Sequence, residues 1–126
     1  MRGKILSGKL LLSAIAAILL VAVIGTPVLA SPATATRTLP ASVESGAEFD
    51  VTVTPAGCGA FGQVEETLPD GFTYLSCTPE TIGVEQVGNT IKFTFLGSES
   101  FTYKVKAPRI VASANYTFHG IVRDED

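Results

Sequence analysis

Apolar and polar residues alternate with a period of two through most of the chain beyond residue 48. Phe49, Val51 and Val53 interleave with Asp50, Thr52 and Thr54; Ile91, Phe93 and Phe95 with Lys92 and Thr94; Phe101, Tyr103 and Val105 with Thr102, Lys104 and Lys106. Successive side chains of a strand point to opposite faces, so each run predicts a strand with one face to bury. Weaker runs over residues 34–39, 61–68, 72–77, 81–87 and 115–123 extend the series to seven or eight short strands, and no helical period appears in residues 31–126. Short strands separated by turn signals predict an all-β, antiparallel sandwich, with a closed barrel as the alternative architecture.

The punctuation between the runs is chemically specific. In Leu68-Pro69-Asp70-Gly71-Phe72, Pro69 presets φ for the first turn position, Asp70 can bond its own downstream backbone, and Gly71 tolerates the positive φ that ends such a turn. This turn predicts a hairpin between residues 61–68 and 72–77, or alternatively a change of sheet. Gly88-Asn89, between Val87 and Thr90, is the two-residue link of a primed hairpin. Pro55, Gly57 and Gly59 make a loop after the Phe49 strand, Gly97-Ser98-Glu99 turns the chain before Phe101, and residues 108–113 connect to the last strand. Residues 31–38 read as a short exposed linker running into a first edge strand, where Pro40, lacking a donor, is well placed.

The N-terminus changes the picture of where the protein works. Arg2, Lys4 and Lys9 precede a run of Leu, Ile, Val and Ala over residues 10–25 that only Ser13 interrupts, and Val28-Leu29-Ala30 follows. This is the pattern of a secretory signal, a helix in residues 1–30 cleaved after Ala30, leaving one domain in residues 31–126. An uncleaved anchor is the alternative, since a span needs about 20 apolar residues, but Gly25, Thr26 and Pro27 interrupt the stretch. Losing those three cations moves the net charge from −3 to −6, which argues against a nucleic-acid partner.

Candidate chemistry is sparse. Cys58 and Cys77 are the two cysteines, and in an exported domain they predict an intramolecular disulfide, with two separate thiols as the alternative. The loop such a bond closes corresponds to about 3 kcal/mol in the loop-entropy picture. A soft-metal site built on Cys58, Cys77 and His119 fails on inventory, because His119 is the single histidine and Met1 the single methionine; no metal or cofactor is expected. Glu65 and Glu66 fall on opposite faces of a strand and cannot act as an acid–base pair, and His119 is expected to face outward without a nucleophile beside it. Asp124, Glu125 and Asp126 read as a solvated tail rather than a calcium site, and Asn115-Tyr116-Thr117 is an N-glycosylation triplet. The chain is not expected to be an enzyme.

Three stretches together, Ala35-Thr36-Arg37-Thr38-Leu39-Pro40, then Gly59-Ala60-Phe61-Gly62-Gln63-Val64-Glu65-Glu66-Thr67-Leu68-Pro69-Asp70-Gly71-Phe72-Thr73-Tyr74, then Ser100-Phe101-Thr102-Tyr103, resemble the immunoglobulin-like conserved repeat of archaeal cell-surface proteins, especially those of methanogens. The resemblance runs over residues 35–126 and implies an immunoglobulin-like β-sandwich exposed at the cell surface, without catalytic function and often strung with other modules. It also implies a tyrosine corner at Tyr116, for which an ordinary core tyrosine is the alternative. An anaerobic host, which the resemblance suggests, would make free thiols more tolerable. Members of the repeat continue past the acidic segment at Arg123 into another strand, so the resemblance implies that the last strand is missing here and that its neighbour has an open edge, with a truncated product as the bland alternative. The expected role is structural or adhesive, at the cell surface or outside the cell, with envelope proteins or glycans as partners. The alternative is a small secreted protein that captures a glycan, peptide or partner strand through the loops at residues 55–60 and 97–100 or through an open sheet edge.

Overall fold

The computed structural model describes residues 3–12, 19–24 and 33–124. Along them run β1 (Gly3–Leu12), β2 (Leu19–Ile24), β3 (Thr34–Pro40), β4 (Ser42–Val43), β5 (Glu48–Ala56), β6 (Phe61–Thr67), β7 (Thr73–Thr78), β8 (Gly83–Val87), β9 (Thr90–Leu96), β10 (Phe101–Lys106) and β11 (Ala114–Asp124). They build two sheets, β4-β1-β11-β6-β9-β8 and β2-β3-β5-β10-β7. The pairings are antiparallel apart from a two-residue parallel contact between β1 and β4. Without β1, β2 and the short β4, each sheet keeps four strands, so the predicted all-β sandwich is the architecture observed.

The alternation explains the core directly. Phe49, Val51 and Val53 of β5, Ile91, Phe93 and Phe95 of β9, and Phe101, Tyr103 and Val105 of β10 are all buried, as are Val64 of β6 and Phe118 and Val122 of β11. Phe93 of the first sheet meets Phe101 and Tyr103 of the second, with ring centroids 4.7 and 5.1 Å apart. Such aromatic contacts add about 0.5–1.5 kcal/mol each beyond the area they bury.

At the 68–72 turn the Phe72 N–H donates to the Pro69 carbonyl at 3.2 Å, and Gly71 has φ +90°. Pro69 therefore opens the turn, and glycine supplies the positive φ that the third position demands. Asp70 does not bond its own backbone; it accepts from Asn89 Nδ2 at 3.0 Å, while the Leu68 N–H donates to the Asn89 carbonyl at 2.9 Å. The expected hairpin is not formed. Both flanks of β6 are occupied, by β11 and β9, so the turn carries the chain across to β7 in the other sheet. The Gly88-Asn89 hairpin is formed as predicted, with Val87 opposite Thr90 and Gly88 at φ +60°.

Three expectations near the N-terminus are corrected. The stretch read as an exposed linker is buried from Ala33 onward, because Ala33, Ala35, Arg37 and Leu39 share one inward phase. Its strand, β3, is not an edge, since β2 pairs along one side and β5 along the other. Where a signal helix was expected over residues 1–30, residues 3–12 and 19–24 are strands that pair with β11 and β3. An apolar run without caps suits a buried helix or a buried strand equally, and here two edges with free backbone groups supply ladder partners. The cleavage motif at residues 28–30 lies outside the described residues. Among the described residues no helix is long and apolar enough to cross a membrane.

Candidate functional site

The most unusual chemistry in the molecule lies between the sheets. Val64 and Leu68 face inward, so Glu66, midway between them on the same phase, is carried into the core. Arg37 is carried inward by β3 and Tyr103 by β10, both in the opposite sheet. Arg37 donates to Glu66 through Nε to Oε2 at 3.1 Å and through Nη2 to Oε1 at 2.5 Å, and the Tyr103 hydroxyl donates to Glu66 Oε2. A buried ion pair persists only when its remaining polar valences are met, and this fork-to-fork geometry with a third donor meets those of the carboxylate.

Two glycines make room for the trio. Gly120 of β11 sits opposite Glu66 in register, and a Cβ there would collide with Glu66 Oε1 and approach Arg37 Nη2 to 3.2 Å. Gly8 of β1 lies over the other side of the guanidinium, where an added Cβ would come within 2.9 Å of Arg37 Nη1. That Nη1 is buried and has no hydrogen-bond partner among the described residues.

Burial alone would lower the Arg37 pKa, but the charge and hydrogen bonds of Glu66, helped by Tyr103, more than offset it and leave the guanidinium above its ordinary value. Burial, and after it the charge of Glu66, hold the Tyr103 phenol well above its ordinary range in spite of Arg37. The trio is thus a cation, an anion and a neutral hydroxyl that use one another. Its chemistry is to clamp the two sheets together, and none of its three members was singled out by the sequence reading as a site. The available signal was phase: a charge at an inward position of two different strands.

The two loops nominated as a contact surface do come together. The Gly97 N–H donates to the Ala60 carbonyl at 2.7 Å, and the Cys58 N–H to Ser98 Oγ at 3.1 Å. Beside them Phe61, Thr81, Gly83, Thr94, Phe95 and Leu96 line a shallow recess of about 350 Å³. Leu96, 77% exposed, and Phe61, 39% exposed, give it an apolar lining.

The predicted disulfide is absent: both cysteines are free thiols. Cys58 is held at the loop end by Ser98 and packs into the space left by Gly62, where a Cβ would lie 2.7 Å from its Sγ. Cys77 belongs to β7 in the other sheet, opposite Tyr103. Burial raises the Cys58 thiol, a Ser98 hydrogen bond offsets part of that and the Asp124 charge adds to it; burial pushes Cys77 up to about 11. Both thiols are therefore protonated and poorly nucleophilic near neutral pH.

The remaining nominated residues are dispersed. His119 is exposed on β11, and Asn115 is exposed near the start of the same strand. Tyr116 is half-buried and packs edge-on against Phe72 at 5.0 Å. Its hydroxyl has no hydrogen bond to backbone among the described residues, so its role there is packing. Glu65 and Glu66 take opposite faces as expected, Glu65 pairing with Arg123 Nη1 at 2.6 Å. Asp124 is not part of a solvated tail: it is buried, because β11 continues the inward phase of Phe118, Gly120 and Val122. Among the described residues no three His, Cys, Asp or Glu side chains converge as metal ligands.

No family model matches the chain. An uncharacterized protein of Archaeoglobus fulgidus is 29% identical over 116 residues, which covers 83% of this chain and 64% of that protein. The chain thus spans less than two thirds of the length of the curated relative it matches.

Proposed function

We propose that the protein is an exported, non-enzymatic surface module with a structural or adhesive role in the cell envelope. The observation that carries this reading is the Arg37–Glu66–Tyr103 clamp, which uses the most deeply placed polar groups to fix one sheet on the other. A rigid sandwich that meets its surroundings through loop tips and flat strands suits contact rather than turnover. The basic and apolar leader pattern and the resemblance to archaeal surface repeats support the same reading. Fractionation of native cells is the test. Recovery in the envelope fraction with an N-terminus at Ser31 is expected; recovery in the cytoplasm with Met1 intact would overturn it.

A second reading, capture of a glycan, peptide or partner strand, is favoured by one specific observation. The edge of β11 accepts a ten-residue strand drawn from the leader stretch itself, Gly3 opposite Arg123 through Leu12 opposite Ala114.

A further inference from the structure

The slot beside β11 has more structure than an open sheet edge. Its ladder with β1, ten residue pairs, is longer than the seven pairs joining β6 to β9. Its floor is selective: opposite Phe118 the occupant presents Gly8, and a side chain at that point would meet Arg37 Nη1 at 2.9 Å and Leu39 Cδ2 at 3.2 Å. Arg37 cannot swing aside, because Nε and Nη2 are both bound to Glu66 in the core. Beneath Gly8, Arg37 Nη1 is a buried donor without a partner among the described residues.

Those residues also carry the leader pattern, and a segment removed on export cannot remain in the sheet. We propose that, after the leader is cleaved, the β11 edge is an acceptor site for a donor strand from another polypeptide: an extended, largely apolar segment of about ten residues, antiparallel to β11, with glycine opposite Phe118. Backbone ladder bonds supply the affinity, and the glycine requirement over Arg37 supplies the selection. The proposal rests on the strand-capture reading and on leader removal.

The test uses the full chain with Gly8→Val, which drives β1 out of the slot, and a synthetic peptide of residues 3–12 as the probe. Hydrogen exchange along residues 114–124 is expected to rise in the variant while the β6–β9 amides stay protected. Adding the wild-type peptide restores protection; a scrambled peptide does not. A peptide carrying Gly8→Val binds about tenfold more weakly or worse, the scale of an overpacked contact. If Gly8→Val fails to fold, Gly8→Ala carries the same comparison with a smaller offset. Unchanged exchange along β11 in a folded variant, equal rescue by the scrambled peptide, or indifference to valine in the peptide would each overturn the slot. N-terminal sequencing separates this from the parent reading. A native start at Met1 overturns leader removal and the proposal together, whereas a start at Ser31 with no peptide rescue removes the slot alone.

Discussion

Glu65 and Glu66 leave β6 on opposite faces, and each finds an arginine. Glu65 meets Arg123 at 2.6 Å on the outer face, with 27% of its side chain and 29% of its partner's exposed. Glu66 meets Arg37 at 2.5 Å with neither side chain exposed at all. The contacts have nearly the same length and entirely different energetics. Outside, water still reaches part of both ions, so the pair adds less; inside, each ion is tolerable only because the other is present. One residue of register therefore separates a dispensable contact from one on which the packing of the two sheets depends.

The comparison breaks most visibly at Glu66. Glu66→Leu leaves the Arg37 guanidinium buried without its counter-ion, and urea titration should show a loss of about 3–5 kcal/mol at unchanged m-value. Against a total stability of about 5–15 kcal/mol for a domain of this kind, that removes from about a fifth of the stability to all of it. The triple variant Arg37→Met, Glu66→Leu, Tyr103→Phe removes every charged and polar group at once and should recover most of the loss, since well-packed apolar replacements of buried ion pairs are often neutral or stabilising. A triple variant as unstable as Glu66→Leu would show that the clamp is not the unit described.

Tyr103→Phe sharpens the same contrast at smaller size. A hydroxyl donating to a buried carboxylate is worth about 1.5–3 kcal/mol, and its loss should appear as a lowered urea midpoint. The phenol also leaves a signature in pH. Its folded pKa lies well above the ordinary value of 10. Once pH exceeds that ordinary value the unfolded chain releases the proton while the folded chain keeps it, so the folded state binds more protons and stability declines as pH rises. The Tyr103 contribution is fully present below pH 10 and is lost above it. Tyr103→Phe should flatten that part of the alkaline decline; an identical slope in the variant would place the titration elsewhere.

Much of this arrangement was legible beforehand, and what was not has definite causes. The alternations at Phe49–Val53, Ile91–Phe95 and Phe101–Val105 predict their strands because one buried face imposes a strict period. The Gly88-Asn89 hairpin was readable because two residues between paired strands leave few geometries. The turn at Pro69 was readable as a turn but not as a crossing, since local φ preferences do not reveal that both flanks of β6 are taken. Arg37 and Glu66 sat in inward phase, yet they are 29 residues apart in sequence, and no local pattern names a partner at that distance. Cysteine count and compartment predict pairing only where the fold brings two thiols together; here Cys58 lies in the connection that crosses from β5 to β6, while Cys77 lies on β7, which β10 separates from β5. The apolar N-terminal run was ambiguous for a different reason. Its composition suits a membrane leader, while the unpaired edges of β11 and β3 that make it a strand are specified by residues far downstream.

The outer face should prove as tolerant as the inner one is strict. Glu65 lies opposite Lys92, which in turn lies opposite Glu85, so charges alternate across β6, β9 and β8. Lys92 Nζ is 4.0 Å from Glu85, and Arg123 remains able to reach water if Glu65 is neutralised. Glu65→Gln removes one attraction from a surface with other counter-charges, and its cost should fall within about 0.2–1 kcal/mol. Salt separates the two glutamates further. With a screening length of about 8 Å at physiological ionic strength and about 3 Å at 1 M, the Glu65 difference should shrink towards zero as salt rises, while the Glu66→Leu difference, taken in the dry interior, should hardly move. Urea titrations of both variants at low and high salt measure this directly. A Glu65→Gln penalty as large as that of Glu66→Leu, or one equally insensitive to salt, would mean that the outer pair is part of the clamp rather than its foil.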